Sequence, residues 1–195
     1  MTGNERAGVL VPGQDCTADG PLLMYAGLAV RRRGGYVRRI AWSPPATVRS
    51  SAMKSGRAFS DESYAWVASP GRGRHGRDGA ATGVTAPVVI GKSLGSLAAP
   101  LVADRGLAAV WFTPLLTDEP TVLALRRATA PCLLAGGTAD RLWDGRAARS
   151  MTPHVVEADA ADHGMYVPGE LSASAAVLGQ VRSAVELFLD QVVWR

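Results

Sequence analysis

The stretch from Pro87 to Asp104, PVVIGKSLGSLAAPLVAD, constrains the fold of this chain more than any other. A short apolar run, Val88-Val89-Ile90, stops at Gly91, and Ser93 stands between that glycine and Gly95. Small and apolar residues then recur at Leu94, Leu97, Ala98, Leu101 and Val102, the spacing of one helix face. The segment therefore reads as a buried strand, an abrupt turn carrying a serine, and a helix.

Gly91-Lys92-Ser93-Leu94-Gly95 fits G-x-S-x-G, in which a serine is held on a strained strand-to-helix turn with its hydroxyl exposed at the sheet edge. The glycines have a steric reason, because side chains there would collide with the neighbouring strand and helix. So short a pattern carries weight only in a strand-turn-helix setting, which this sequence supplies. Two nucleotide-binding readings of the same letters fail. A G-x-x-x-x-G-K-S phosphate loop needs glycine where Ala86 stands, and a flexible loop where Val88 to Ile90 reads as strand. A G-x-G-x-x-G fingerprint needs its second and third glycines at Ser93 and Ser96.

The rest of the chain alternates strands and helices around this segment. A first strand is expected over Gly8 to Val11, ending at Pro12-Gly13, followed by a polar loop from Gln14 to Gly20. Pro21 suits a first helical position, and Leu22, Leu23, Ala26, Ala29 and Val30 give the helix from Pro21 to Arg33 an apolar face. Arg31-Arg32-Arg33 reads as a solvated end complementing the helix dipole. Tyr36 to Trp42 forms the second strand. Residues 43–86 read as an irregular insert within a single domain spanning 1–195. Pro44-Pro45 breaks structure there, Asp61 to Ala68 forms at most two helical turns, and the Arg/Gly tract from Pro70 to Gly79 reads as a mobile surface loop. Beyond the serine segment come a strand over Leu107 to Thr113, a helix over Asp118 to Thr129 capped by Thr117 or Asp118, and a strand over Pro131 to Ala135. Gly136 to Asp140 is the terminal loop of that strand. A helix over Leu142 to Ser150, a short strand over His154 to Val156 and a loop over Asp159 to Gly169 follow. Ser172 caps a last helix whose Val177, Val181, Val185, Phe188, Leu189 and Val192 face inward.

This alternation specifies an α/β fold, a doubly wound, mostly parallel sheet of five to six strands with helices on both faces. Chemistry on such sheets gathers beyond the carboxyl ends of the strands, where Gln14, Ser93, Asp140 and His163 all fall. A serine hydroxyl needs a base to take its proton as it attacks, and histidine suits that role near neutral pH. A carboxylate must then fix the imidazole tautomer. Ser93, Asp140 and His163 supply these groups in the chain order Ser, Asp, His. Asp144 competes with Asp140 for the acid position. His75 lies in the Arg/Gly tract and His154 begins a strand, which leaves His163 as the base. An oxyanion hole needs two backbone N–H groups; Leu94, next after the serine, supplies one, and Gln14, chosen over Gly13, the other. Lys92 is read as a surface lysine packed along its aliphatic stem, with a preference for an anionic acyl group as the alternative.

The chain is 47% hydrophobic by residue, as suits a globular protein. Its net charge of +4 comes from arginine, Lys54 and Lys92 being the only lysines, and reads as compositional drift rather than as the mark of a nucleic-acid partner. Cys16 and Cys132 make no disulfide framework. Cys132 reads as a core residue, while Cys16, in a loop near the proposed site, leaves a reactive thiol open. The cysteines and histidines show no metal-binding spacing. A polar start and the lack of a long apolar run give neither a secretory signal nor a membrane span, so the expected compartment is the cytoplasm.

The chain resembles a small member of the α/β-hydrolase superfamily, of the type without a cap domain. The resemblance rests on Gly91-Lys92-Ser93-Leu94-Gly95, Gly136-Gly137-Thr138-Ala139-Asp140, Asp162-His163-Gly164 and the Pro12-Gly13-Gln14 loop, and covers Gly8 to Ser43 and Pro87 onward. It implies transfer of an acyl group from a small-molecule ester or thioester to water through an acyl-serine, with no cofactor. It departs from the family in lacking early antiparallel strands and a substantial helix between Ser43 and Ala86. The alternative reading is a catalytically weak or inactive binding module on the same fold. A third, nucleic-acid binding through Arg72, Arg74 and Arg77, would show as steep salt dependence.

Overall fold

A computed structural model of the chain describes residues 6–13, 16–40 and 87–195. Gln14, Trp42, the short helix expected over Asp61 to Ala68, the Arg/Gly tract and the rest of the 43–86 insert lie outside the described residues.

In chain order the elements are β1 (Ala7–Val11), α1 (Pro21–Arg32), β2 (Tyr36–Arg39), β3 (Val88–Lys92), a 3-10 helix (Ser93–Ala98) running into α2 (Ala99–Asp104), β4 (Ala109–Phe112), α3 (Glu119–Arg127), β5 (Cys132–Gly137), α4 (Gly145–Met151), β6 (His154–Ala158) and α5 (Leu171–Phe188), which ends in a π-helical turn (Leu189–Val193). The strands form one sheet in the order β2-β1-β3-β4-β5-β6, with every neighbouring pair parallel.

Strands buried on both faces need no polar alternation, which is why VVI and AVWF are continuous apolar runs. Side chains still point alternately to the two faces. Val88, Ile90, Val110, Phe112, Leu133 and Ala135 join Leu23 and Val30 of α1 and Val181, Val185 and Phe188 of α5 in one layer. Val89, Ala109, Trp111, Cys132 and Leu134 join Val102 of α2, Ala124 and Leu125 of α3 and Ala148 of α4 in the other. A side chain buried as fully as Phe112 contributes roughly 1.5–3 kcal/mol.

The chain lays β2 on one flank of β1 and then returns to place β3 on the other, from which β4 to β6 run outward. Strand order therefore reverses between β1 and β3, and a crevice opens beyond their carboxyl ends. Pro12-Gly13 and Ser93 leave the sheet there.

Several boundaries differ from expectation. The serine helix starts as a 3-10 helix because Pro100 has no N–H for the Ser96 carbonyl, which instead accepts from Ala99 N–H. β4 stops before Thr113, whose φ of 43° turns the chain out of the ladder. Gly136 and Gly137 extend β5 rather than opening its loop, because β6 runs on to Ala158 and pairs with both. Ser172 lies inside α5, and Glu170 takes the N-cap position without a side-chain bond.

Arg33 is not part of a solvated end. Its Nε and Nη2 donate to the Asp190 carboxylate at 2.6 and 2.7 Å, and its Nη1 donates to the Ala29 carbonyl at 2.9 Å. It thereby ties the end of α1 to the π-helical turn. Among the described residues no helix is long and apolar enough to cross a membrane.

Candidate active site

The turn after β3 is built on backbone strain. Lys92 is still extended at φ −127°, ψ 134°, and Ser93 swings to φ 53°, a left-handed conformation that costs a non-glycine residue about 1–3 kcal/mol. Close packing holds it there. A Cβ on Gly91 would sit 2.5 Å from the Trp111 ring, and one on Gly95 would overlap the Val11 carbonyl oxygen. Ser96, which the sequence reading assigned no role, is fully buried. Its Oγ donates to the Ser93 carbonyl at 2.8 Å and accepts from Leu115 N–H at 3.0 Å, so it braces the turn against the loop after β4. The signal for it is a hydroxyl set among Leu94, Leu97 and Ala98 on an otherwise apolar helix.

The loops after β5 and β6 are stitched together. Thr138 N–H donates to the Ala158 carbonyl and Ala139 N–H to the Ala161 carbonyl, both at 3.0 Å. Thr138 Oγ1 also donates to Asp159 Oδ1 at 3.0 Å and accepts from Ala160 N–H at 2.7 Å. This seam sets the separation of Asp140 from His163. Asp162 Oδ1 accepts from Gly164 and Tyr166 N–H at 2.8 and 2.9 Å, closing the turn that carries His163.

Three side chains from three loops meet at the sheet edge. His163 Nε2 lies 2.8 Å from Ser93 Oγ, and His163 Nδ1 lies 2.7 Å from Asp140 Oδ2. The Asp140 side chain is only 2% exposed, and its other oxygen accepts from Leu142 N–H at 2.9 Å. An ionised carboxylate can only accept, so Nδ1 carries the hydrogen and Nε2 is left to accept from the Ser93 hydroxyl.

Asp144 does not compete for the histidine. It is the N-cap of α4, and its Oδ1 accepts from Ala147 N–H at 2.9 Å. Asp144→Ala is expected to cost about 1 kcal/mol of stability in chemical denaturation, the loss of one helix cap. His154 packs edge-on against the Phe188 ring with centroids 5.2 Å apart, away from Ser93. His75 lies outside the described residues.

Leu94 is the second residue of the 3-10 helix, where the first-turn N–H groups lack helical partners. Gly13 N–H donates to Cys16 Sγ at 3.1 Å, so that peptide is already engaged. Gln14, the residue expected to give the second oxyanion donor, lies outside the described residues.

Lys92 is not a surface lysine. It is partly buried, and its Nζ donates to the His163 carbonyl at 3.4 Å. Burial pushes its pKa below the usual lysine value, opposed in part by Cys16, Asp140 and Asp162. Lys92 and Cys16 line a cavity of about 390 Å³ between the start of α1, the first half of α5 and the loop after His163. Cys132 is a buried core residue, as its apolar setting predicts. Among the described residues no group of His, Cys, Asp and Glu is gathered to hold a metal ion.

No protein-family model matches the sequence, and no curated protein does. Solved structures match its fold. Est1E from Butyrivibrio proteoclasticus superposes with a TM-score of 0.68 over 98% of this chain and 90% of its own, at 12% identity. An alpha-beta serine hydrolase homologue from Coxiella burnetii gives 0.62 over 96% and 88%, at 14% identity. The chain has the α/β-hydrolase fold. Dienelactone hydrolase from Anabaena variabilis ATCC 29413 shares it as well, with a TM-score of 0.59 over 98% and 88%, at 18% identity. Within this α/β-hydrolase fold the sheet of the described residues is wholly parallel, where a mostly parallel one was expected.

Proposed function

We propose that this chain is a serine hydrolase that cleaves a small ester or thioester through an acyl-serine intermediate. The observation that carries the reading is the relay from Ser93 Oγ through His163 to Asp140, at 2.8 and 2.7 Å, on a strained turn. Ser93 Oγ attacks the acyl carbon while His163 Nε2 takes its proton, and Asp140 stabilises the imidazolium. The oxygen that gains charge is received by the backbone N–H of Leu94 and of Gln14. His163 then returns the proton to the departing alkoxide or thiolate. A water, deprotonated by the same nitrogen, attacks the acyl-serine and releases the acid. The reaction so written uses no cofactor. The serine hydrolase homologue and the dienelactone hydrolase among the structural neighbours support the ester class. The passage from Thr113 to the start of α3 is too short to hold a cap between β4 and α3.

A fluorophosphonate probe is expected to label the folded protein at Ser93, and Ser93→Ala to abolish labelling. Turnover of short p-nitrophenyl esters is expected to fall roughly 10⁶-fold in His163→Ala. Undiminished labelling of the alanine variant would overturn the assignment.

A further inference from the structure

The cavity beside Lys92 has walls that include neither Ser93 nor His163 among the described residues. Leu22 and Leu23 of α1, Met165 of the histidine loop, and Leu171 and Leu178 of α5 make it predominantly apolar. At about 390 Å³ it falls within the range of small-molecule sites. Lys92 is the one charged residue among its described lining, and no acidic residue faces it.

The position of that amine is unusual. Burial takes it partly out of water, yet its Nζ donates to a neutral carbonyl at 3.4 Å. The carboxylates whose charge reaches it make their hydrogen bonds elsewhere, Asp140 to His163 and Leu142 N–H, Asp162 to the Gly164 and Tyr166 N–H groups. No carboxylate of the described residues makes an ion pair with Lys92. A partly desolvated cation in an apolar cavity is stabilised by an anion brought in from outside. Its lining supplies compensation for one negative charge only. Leu171, 78% exposed, and Tyr166, 56% exposed, stand at the rim, where an apolar tail would cover them.

We propose that this cavity is a binding site for a medium-chain monocarboxylate, its chain lying between α1 and α5 and its carboxylate paired with the Lys92 ammonium. The site is distinct in its lining from the serine relay and does not depend on hydrolysis. It adjoins that relay through the chain, since Lys92 precedes Ser93 and Gly164 follows His163.

The test is calorimetric titration of full-length Ser93→Ala protein at neutral pH with octanoate and with 1-octanol, which has the same chain length and no charge. Octanoate is expected to bind at least about tenfold more tightly than 1-octanol. Adding Lys92→Met is expected to bring the two within about twofold of each other. Equal binding of the two to protein that retains Lys92, binding of neither, or a preference for octanoate that survives Lys92→Met overturns the proposal. Should Lys92→Met fail to fold, Leu178→Trp decides the matter by filling the cavity from a half-buried position: octanoate binding is expected to vanish, and its persistence overturns the site. Because Ser93 is already absent, a failure here leaves the hydrolase reading untouched, and failure of that reading leaves this one standing.

Discussion

Asp140→Asn is expected to lower ester turnover roughly 10⁴-fold while leaving the fold intact. The size of the effect follows from one hydrogen bond on the far side of the carboxylate. Leu142 N–H donates to Asp140 Oδ1 at 2.9 Å, so an asparagine must keep its carbonyl oxygen there. Its NH₂ then faces His163 Nδ1, 2.7 Å away in the present protein. Two donors cannot share that contact, and the imidazole answers by moving its hydrogen to Nε2. That nitrogen then points a hydrogen at Ser93 Oγ and has no lone pair with which to take the proton. The substitution changes no volume and preserves the Leu142 bond, so thermal unfolding should stay close to that of the parent. Measured kcat/KM on p-nitrophenyl acetate, beside a fluorophosphonate labelling rate, checks the prediction. A loss smaller than tenfold would mean that Asp140 does not orient His163.

Gly95→Ala is expected to destabilise the protein by about 3 kcal/mol or more, a large part of the 5–15 kcal/mol that holds a typical domain together. The added methyl would overlap the Val11 carbonyl oxygen and approach the Pro12 carbonyl oxygen to 3.2 Å. Both neighbours are main-chain atoms at the end of β1. β1 is fixed between β2 and β3 by parallel pairing on both sides, so it cannot yield as a flexible side chain would. The alternative is for the serine turn to lift, which would break the contact between Ser93 and His163. Stability and labelling should therefore fall together. Gly179→Ala is the control. It lies within α5, a new methyl there meets nothing within 4 Å, and helix propensity favours alanine by about 0.5–1 kcal/mol. Urea denaturation of both variants gives the comparison, and equal midpoints would show that the approach of the turn to β1 is looser than described.

Features that depend on a few consecutive residues were legible in the sequence. The run Val88 to Ile90, the glycines flanking Ser93 and the apolar spacing beyond gave the strand, the turn and the helix, because each is decided by local sterics and periodicity. The loops holding Asp140 and His163 were legible for the same reason, each following a short apolar run. Features set by a partner far along the chain were not. The extension of β5 through Gly136-Gly137 depends on β6 reaching Ala158, and glycine pairs otherwise mark a turn. Arg33 and its neighbours look alike in sequence, yet only Arg33 meets Asp190 across the α1 to α5 contact. Asp140 and Asp144 were separated in sequence by loop position alone. The structure separates them physically, because α4 begins at Gly145 rather than Leu142 and thus takes Asp144 as its cap. Lys92 was read as a surface residue because nothing local shows that the loop after His163 folds back over it.

The pairing of α1 with α5 has a consequence for how the protein is made. Leu23 and Val30 share their layer with Val181, Val185 and Phe188, and the Arg33 guanidinium closes on Asp190. On a translating ribosome the early helix therefore emerges long before its partner is synthesised, and the flank of α1 and the part of the sheet face that α5 covers stay bare until residues 171–193 have cleared the exit tunnel. Nascent chains stalled short of that point should recruit chaperones and resist compaction.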